Sequence, residues 1–121
     1  MSIEYSINVA GGVVRVKASG EDESLEQTKK YSLAVLQAAI DTDTRKVLCD
    51  ERDLDYKLDI FETFELAKII AENVKKMGRL AIVCKPEHVK SGKFWETVAI
   101  NRGLYVRFFL SLEEAEEWLK I

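Results

Sequence analysis

Ile3, Tyr5, Ile7 and Val9 alternate with polar or small residues, the period-two pattern of a half-buried strand. Gly11-Gly12 follows, and two glycines in succession, both free to take positive φ, permit a tight hairpin into Val13-Val14-Arg15-Val16-Lys17-Ala18. The first two strands are therefore expected to run antiparallel. Ser24 and Gln27 stand at capping-box spacing and predict a helix with Tyr31, Val35 and Ala38 on one stripe and Leu33, Leu36 and Ile40 beside it, ending near Asp41-Thr42-Asp43. Lys46-Val47-Leu48-Cys49-Asp50 reads as a third strand, and the polar Glu51-Arg52-Asp53 as the point where the chain leaves the sheet.

Asp59 and Glu62 form a second capping pair ahead of Phe64, Ala67, Ile70 or Ala71, Val74 and Met77 at three-and-four spacing, with Gly78 placed as the helix stop. Leu80-Ala81-Ile82-Val83-Cys84 is a short all-apolar run, as expected of a strand covered on both faces, and Pro86 closes it. Phe94, Trp95, Val98 and Ala99 predict a third helix ending at Asn101-Arg102-Gly103, followed by Tyr105-Val106-Arg107-Phe108-Phe109 as the last strand. Ser111 and Glu114 then cap a final helix carrying Leu112, Ala115, Trp118 and Leu119. Strands alternating with helices in this order predict a mostly parallel sheet with right-handed crossovers and helical cover.

At 121 residues the chain fits one domain with a real core, and 47% hydrophobic with 32% charged residues is a globular balance. Eighteen basic residues against 21 acidic ones, with no long block of one sign, lack the electrostatic footprint of a nucleic-acid binder. No stretch approaches the ~20 apolar residues that span a bilayer, and Met1-Ser2-Ile3-Glu4-Tyr5 has neither the basic flank nor the apolar run of a secretory signal, so the cytoplasm is the expected compartment. Cys49 and Cys84 lie inside apolar runs far apart in sequence and read as buried thiols rather than a disulfide framework or a CxxC pair.

The hairpin, the helix opening beyond Asp50-Glu51-Arg52-Asp53, and the ending Asn101-Arg102-Gly103-Leu104-Tyr105-Val106-Arg107-Phe108-Phe109 with Glu114-Ala115 and Trp118-Leu119 resemble bacterial STAS, or SpoIIAA-like, domain proteins over nearly the whole chain. The resemblance implies a single SpoIIAA-like α/β domain: a mixed sheet of about five strands, mostly parallel with an N-terminal antiparallel hairpin, and four helices. It also implies a non-catalytic interaction or regulatory module. In the anti-sigma-factor antagonist branch a serine near the start of the helix after the third strand is phosphorylated by a partner kinase, commonly within an Asp-Ser-x-Gly-like motif. The matching stretch here is Asp59-Ile60-Phe61-Glu62-Thr63: it keeps the aspartate but has no serine or glycine, which implies that the phosphoswitch is absent. Thr63 is the nearest hydroxyl and sits one turn into the helix, away from the start where phosphate is favoured. A second, SEC14-like branch of the resemblance implies an apolar pocket for a lipid or similar small ligand; the apolar residues of the second helix are placed to line one, and the same spacing is that of any core-facing helix.

The residues themselves offer four chemical readings. Asp50, Glu51 and Asp53 stand just beyond the carboxyl end of a predicted parallel strand, where ligands gather in open α/β sheets, and clustered carboxylates there suit a divalent cation, as in a metal-assisted hydrolase, or an acid and base pair. Arg52 among them favours plain solvated loop charges instead. His88, the only histidine, follows Lys85-Pro86-Glu87 at a strand exit, within reach of a ligand yet without a second histidine for a metal site. Trp95 and Trp118 read as core. Gly11-Gly12 is no phosphate loop, because it precedes a strand and lacks the lysine and hydroxyl of that motif, and no sequence pattern implies a cofactor. The expected contact set is Asp50, Glu51, Arg52, Asp53, Asp59, Thr63 and His88, facing a protein partner or an apolar small ligand. An uncovered first strand or helix face leaves a homodimer open.

Overall fold

The computed structural model of the chain describes residues 2–73 and 78–121. Strand β1 (Ile3–Ala10) turns into β2 (Val13–Asp22), followed by helix α1 (Leu25–Asp41), β3 (Lys46–Tyr56), α2 (Ile60–Asn73) and β4 (Arg79–Val83). A single 3-10 turn at Pro86–His88 leads into α3 (Val89–Ile100), β5 (Val106–Phe109) and α4 (Leu112–Lys120).

The local chemistry of each boundary follows its sequence. Gly11 and Gly12 take φ of 60° and 75°, so the hairpin closes in two residues with Ala10 opposite Val13. The Ser24 hydroxyl accepts from the Gln27 amide and the Ser111 hydroxyl from the Glu114 amide. At α2 the box is reciprocal, the Glu62 amide donating to Asp59 Oδ1 (2.8 Å) and the Asp59 amide to Glu62 Oε1 (3.1 Å). Val74 and Met77, the expected end of that helix's apolar stripe, lie outside the described residues. Ile40, expected beside the stripe of α1, is exposed, because the buried positions run Tyr31, Val35, Leu36 and Ala39 and position 40 falls beyond their edge.

The strands stack in chain order, β1-β2-β3-β4-β5, with β1 antiparallel to β2 and every other pair parallel. Each crossover therefore steps in the same direction, and right-handed connections place α1, α2 and α3 on one face. Val16, Cys49, Ile82 and Phe108 meet Tyr31, Ile70 and Trp95 there in one core. The other face receives α4 alone, whose Ala115, Trp118 and Leu119 cover Leu48, Ala81 and Val83. Both cysteines are buried free thiols, and both tryptophans are buried. Among the described residues no helix is long and apolar enough to cross a membrane.

Two strands run further than their apolar patterns suggest. β2 continues past Ala18 to Asp22 and β3 past Asp50 to Tyr56, so Glu51-Arg52-Asp53 does not leave the sheet. Ser19–Asp22 pairs in parallel with Asp53–Tyr56, and between Lys17↔Asp50 and Ser19↔Asp53 two steps of β2 oppose three of β3. The extra residue is a bulge in β3, and it reverses the side-chain alternation beyond it. Polar character hid this segment because the bulge and a buried carboxylate break the apolar alternation by which a strand is recognised.

Gly92 lets α3 lie against β5: a Cβ there would fall 2.5 Å from Cδ2 of Phe108. Alanine improves a helix interior by up to about 1 kcal/mol, whereas forcing atoms into a packed core costs about 1–3 kcal/mol. Gly92→Ala is therefore expected to destabilise the protein, read as a lower urea midpoint with an unchanged m-value.

Candidate functional site

The expected acidic cluster does not converge. Asp50 points to the α4 face, where Arg52 Nε and Nη2 hold its carboxylate at 2.8 Å each and Lys17 Nζ approaches to 3.5 Å. The Arg52 hydrogen bonds are the largest influence that draws the Asp50 carboxyl down to about 2. Asp53 is exposed and meets the same Lys17 at 3.3 Å. Glu51 points the opposite way, into the core beneath α1, α2 and α3. Glu51 thus lies on the other face from Asp50 and Asp53, and those two are already held by Arg52 and Lys17, which removes the support for a hydrolase built on Asp50, Glu51 and Asp53.

Glu51 is instead the centre of a buried polar network. Only 7% exposed, it accepts from the Tyr31 phenol through Oε2 (2.7 Å) and from the Tyr56 phenol through Oε1 (2.5 Å). The bulge in β3 makes this geometry, since it brings Glu51, Leu54 and Tyr56 onto one face although their numbers differ in parity. Burial raises the Glu51 carboxyl above its ordinary range, against the two phenol hydrogen bonds that favour its charged form. Burial, followed by the carboxylate itself, lifts both phenols well above theirs.

Asp22, at the end of β2, lies in the same region and is 6% exposed. Its Oδ1 accepts from the Lys57 amide, but desolvation outweighs that bond and pushes the carboxyl up to about 7. The two carboxyls line one cavity of about 70 Å³, walled by Tyr31, Leu54, Tyr56, Leu66, Trp95 and Phe108 and edged by Thr28, Ser32, Thr63 and Ser91. It sits where the carboxyl ends of the strands meet the first turns of three helices, the usual place for a ligand in such a sheet. Helices α1, α2 and α3 all contribute to its lining.

His88 has partners that spacing alone does not reveal. Its ring stacks on Tyr56 at 5.0 Å between centroids, and its Nε2 lies 3.2 Å from Asp55 Oδ1, which also takes Lys85 Nζ at 2.7 Å. The Lys85 bond, then that of His88, draws the Asp55 carboxyl below its usual value. Asp55, Glu87 and His88 place one donor atom each within 4.8 Å of one another, the three-residue set among the described residues that could hold a metal. Lys85 already occupies the shared carboxylate, so a cation would have to displace an ammonium group. Thr63 donates to the Asp59 carbonyl (2.8 Å), and Asp59 is engaged in its cap. Sequence reading missed Asp22, Tyr31, Tyr56 and Asp55. Tyr31 was visible only as a stripe residue, and the others depend on strand lengths that apolar patterning does not report.

A carboxyl whose folded pKa is raised holds a proton that the unfolded chain has lost, so its contribution is full at low pH and declines as pH rises between the two values. For Asp22 that window runs from 3.8 to about 7. Asp22→Asn keeps the acceptor for Lys57, and it is expected to gain stability relative to the parent across this window, by on the order of a few kcal/mol, in denaturation curves collected at several pH values. Tyr56→Phe removes one of the two donors to buried Glu51 and is expected to cost about 1–3 kcal/mol at neutral pH. In a Glu51→Gln background that loss should shrink, measured as a double-mutant cycle.

No family model matches the chain, and no relative is found among curated proteins. Solved structures do match. An uncharacterized protein of the DUF3478 family from Shewanella loihica PV-4, with a SpoIIAA-like fold, is 20% identical over 98% of this chain and 94% of its own, at a TM-score of 0.61. An anti-sigma factor antagonist from Mycobacterium paratuberculosis is 14% identical over 99% of this chain and 96% of its own, at a TM-score of 0.68. Identities this low report architecture alone. The chain has a SpoIIAA-like fold, with its antiparallel first strand, parallel remainder and four helices.

Proposed function

We propose that residues 1–121 form a single non-catalytic regulatory module of STAS type, working in the cytoplasm by binding a protein partner and without a serine phosphoswitch. The observation that carries this reading is a pair of apolar side chains in solvent: Ile60 is 61% and Phe61 79% exposed in the first turn of α2. Large neighbouring apolar groups at a helix start gain nothing for the isolated fold and suit a partner that covers them. They stand beside the capping pair Asp59 and Glu62, at the segment that matches the phosphorylated motif of antagonist proteins, and one solved structure of this fold is an anti-sigma factor antagonist. The contact region extends from Asp50 to Thr63, with Arg52 and Asp53 on one side and His88 close to the end of β3.

A second reading, a small-ligand protein, is favoured by the cavity beneath α2 and α3. At about 70 Å³ it lies between the ~10–15 Å³ that admits one water and the ~150 Å³ that admits benzene, so it suits a short group rather than an acyl chain.

The partner reading is tested by affinity capture from the lysate of the native host, with the parent and an Ile60→Ser, Phe61→Ser variant. Both side chains are exposed, so the melting temperature should hold, surface changes being worth within about ±0.5 kcal/mol. A stoichiometric partner retained by the parent and lost by the variant is expected. No partner in any growth state, or one indifferent to the variant, defeats the proposal.

A further inference from the structure

The cavity that holds Glu51 and Asp22 is unusual in the sign of what it offers. Four of its polar side chains have spent their donors elsewhere. The Tyr31 and Tyr56 phenols both donate to Glu51, Thr28 Oγ1 donates to the Ser24 carbonyl (2.9 Å), and Thr63 Oγ1 donates to the Asp59 carbonyl (2.8 Å). What remains for a guest is lone pairs on these four oxygens and on the two carboxyls, with Ser32 and Ser91 as the hydroxyls still free to turn. Among the described residues no lysine, arginine or histidine lines the cavity, so no side-chain cation there balances the two acids. The first turns of α1 and α2 would favour an anion, but their caps occupy the leading amides; α3 brings Ser91 and Gly92 to the wall without a side-chain cap, and its positive end sets only a partial charge against two carboxyls. The aromatic walls, Tyr31, Tyr56, Trp95 and Phe108, present ring surface of the kind that attracts cations.

We propose that this cavity binds a small organic cation, the ammonium head of an amine on a short apolar stem, with Glu51 and Asp22 as its counter-charges. The proposal rests on the small-ligand reading and narrows it to one class. A donor-rich head satisfies an acceptor-rich chamber, and binding supplies the positive charge that the buried carboxyls lack. The volume limits the buried part to a few heavy atoms, the rest of the ligand leaving through the mouth.

The test is a titration of the full chain with n-butylammonium, n-butanol and butyrate at about pH 8, above the Asp22 ionisation, followed by amide NMR shifts and calorimetry. Saturable shifts at Thr28, Thr63 and Gly92 are expected with n-butylammonium alone. Glu51→Gln and Asp22→Asn should each weaken binding about ten-fold or more, the worth of one charged hydrogen bond. Asp22→Asn retains the acceptor for the Lys57 amide and carries the comparison if Glu51→Gln does not fold. If n-butanol saturates the same amides equally well, the cavity is a ligand site but charge does not select its guest, and the proposal falls while the small-ligand reading stands. If none of the three binds, or if butylammonium binding ignores both substitutions, the proposal falls, and in the first case the small-ligand reading falls with it.

Discussion

One extra residue in β3 sets the position of nearly everything of chemical interest. Without the bulge between Asp50 and Asp53, strict alternation would turn Leu54 and Tyr56 to the side opposite Glu51, leaving a carboxylate buried with one phenol fewer and a core missing a leucine. With it, the carboxylate gains both phenols, and the ring of Tyr56 reaches back under His88. A buried acid tolerates its site only when hydrogen bonds replace the water it has lost. The bulge is thus a geometric condition for Glu51 to be there at all.

Around that condition the two faces of the sheet carry different physics. On the α4 face, Lys17, Asp50, Arg52 and Asp53 form a solvated set of alternating charges, and such contacts add little to stability. On the other face the same sign of charge is desolvated, and burial drives the two carboxyls upward. Residues adjacent in sequence, Asp50 and Glu51, thereby move in opposite directions from similar starting points, one through a guanidinium and the other through burial. Counting acids along the chain cannot separate them, since the difference lies entirely in which way the strand turns each one.

That contrast marks how far sequence carries. The hairpin, the three capped helices, the apolar β4 and the antiparallel first strand were legible because each rests on local rules: glycine φ, cap spacing, an uninterrupted apolar run. The fold could also be read, since chain order and right-handed crossovers leave few alternatives. The site was not. Glu51 and Asp53 read as an exposed cluster because polar residues rarely continue a strand, and His88 read as solitary because Asp55 stands 33 positions away. Tyr31 carries two roles at once, packing in a helical stripe and donating to a carboxylate, and periodicity reports only the first.

The succession of strands in chain order bears on how the chain reaches this state. Every strand pairs with its immediate predecessor, so each new piece docks on an edge already laid down, although each parallel pairing waits for a crossover helix to return the chain. The network around Glu51 draws on α1, β2 and both halves of β3, so it can close as soon as the first three strands and one helix have met. Synthesis from the N-terminus delivers the acid and its two phenols first, and α2, α3 and β5 then complete the walls around them.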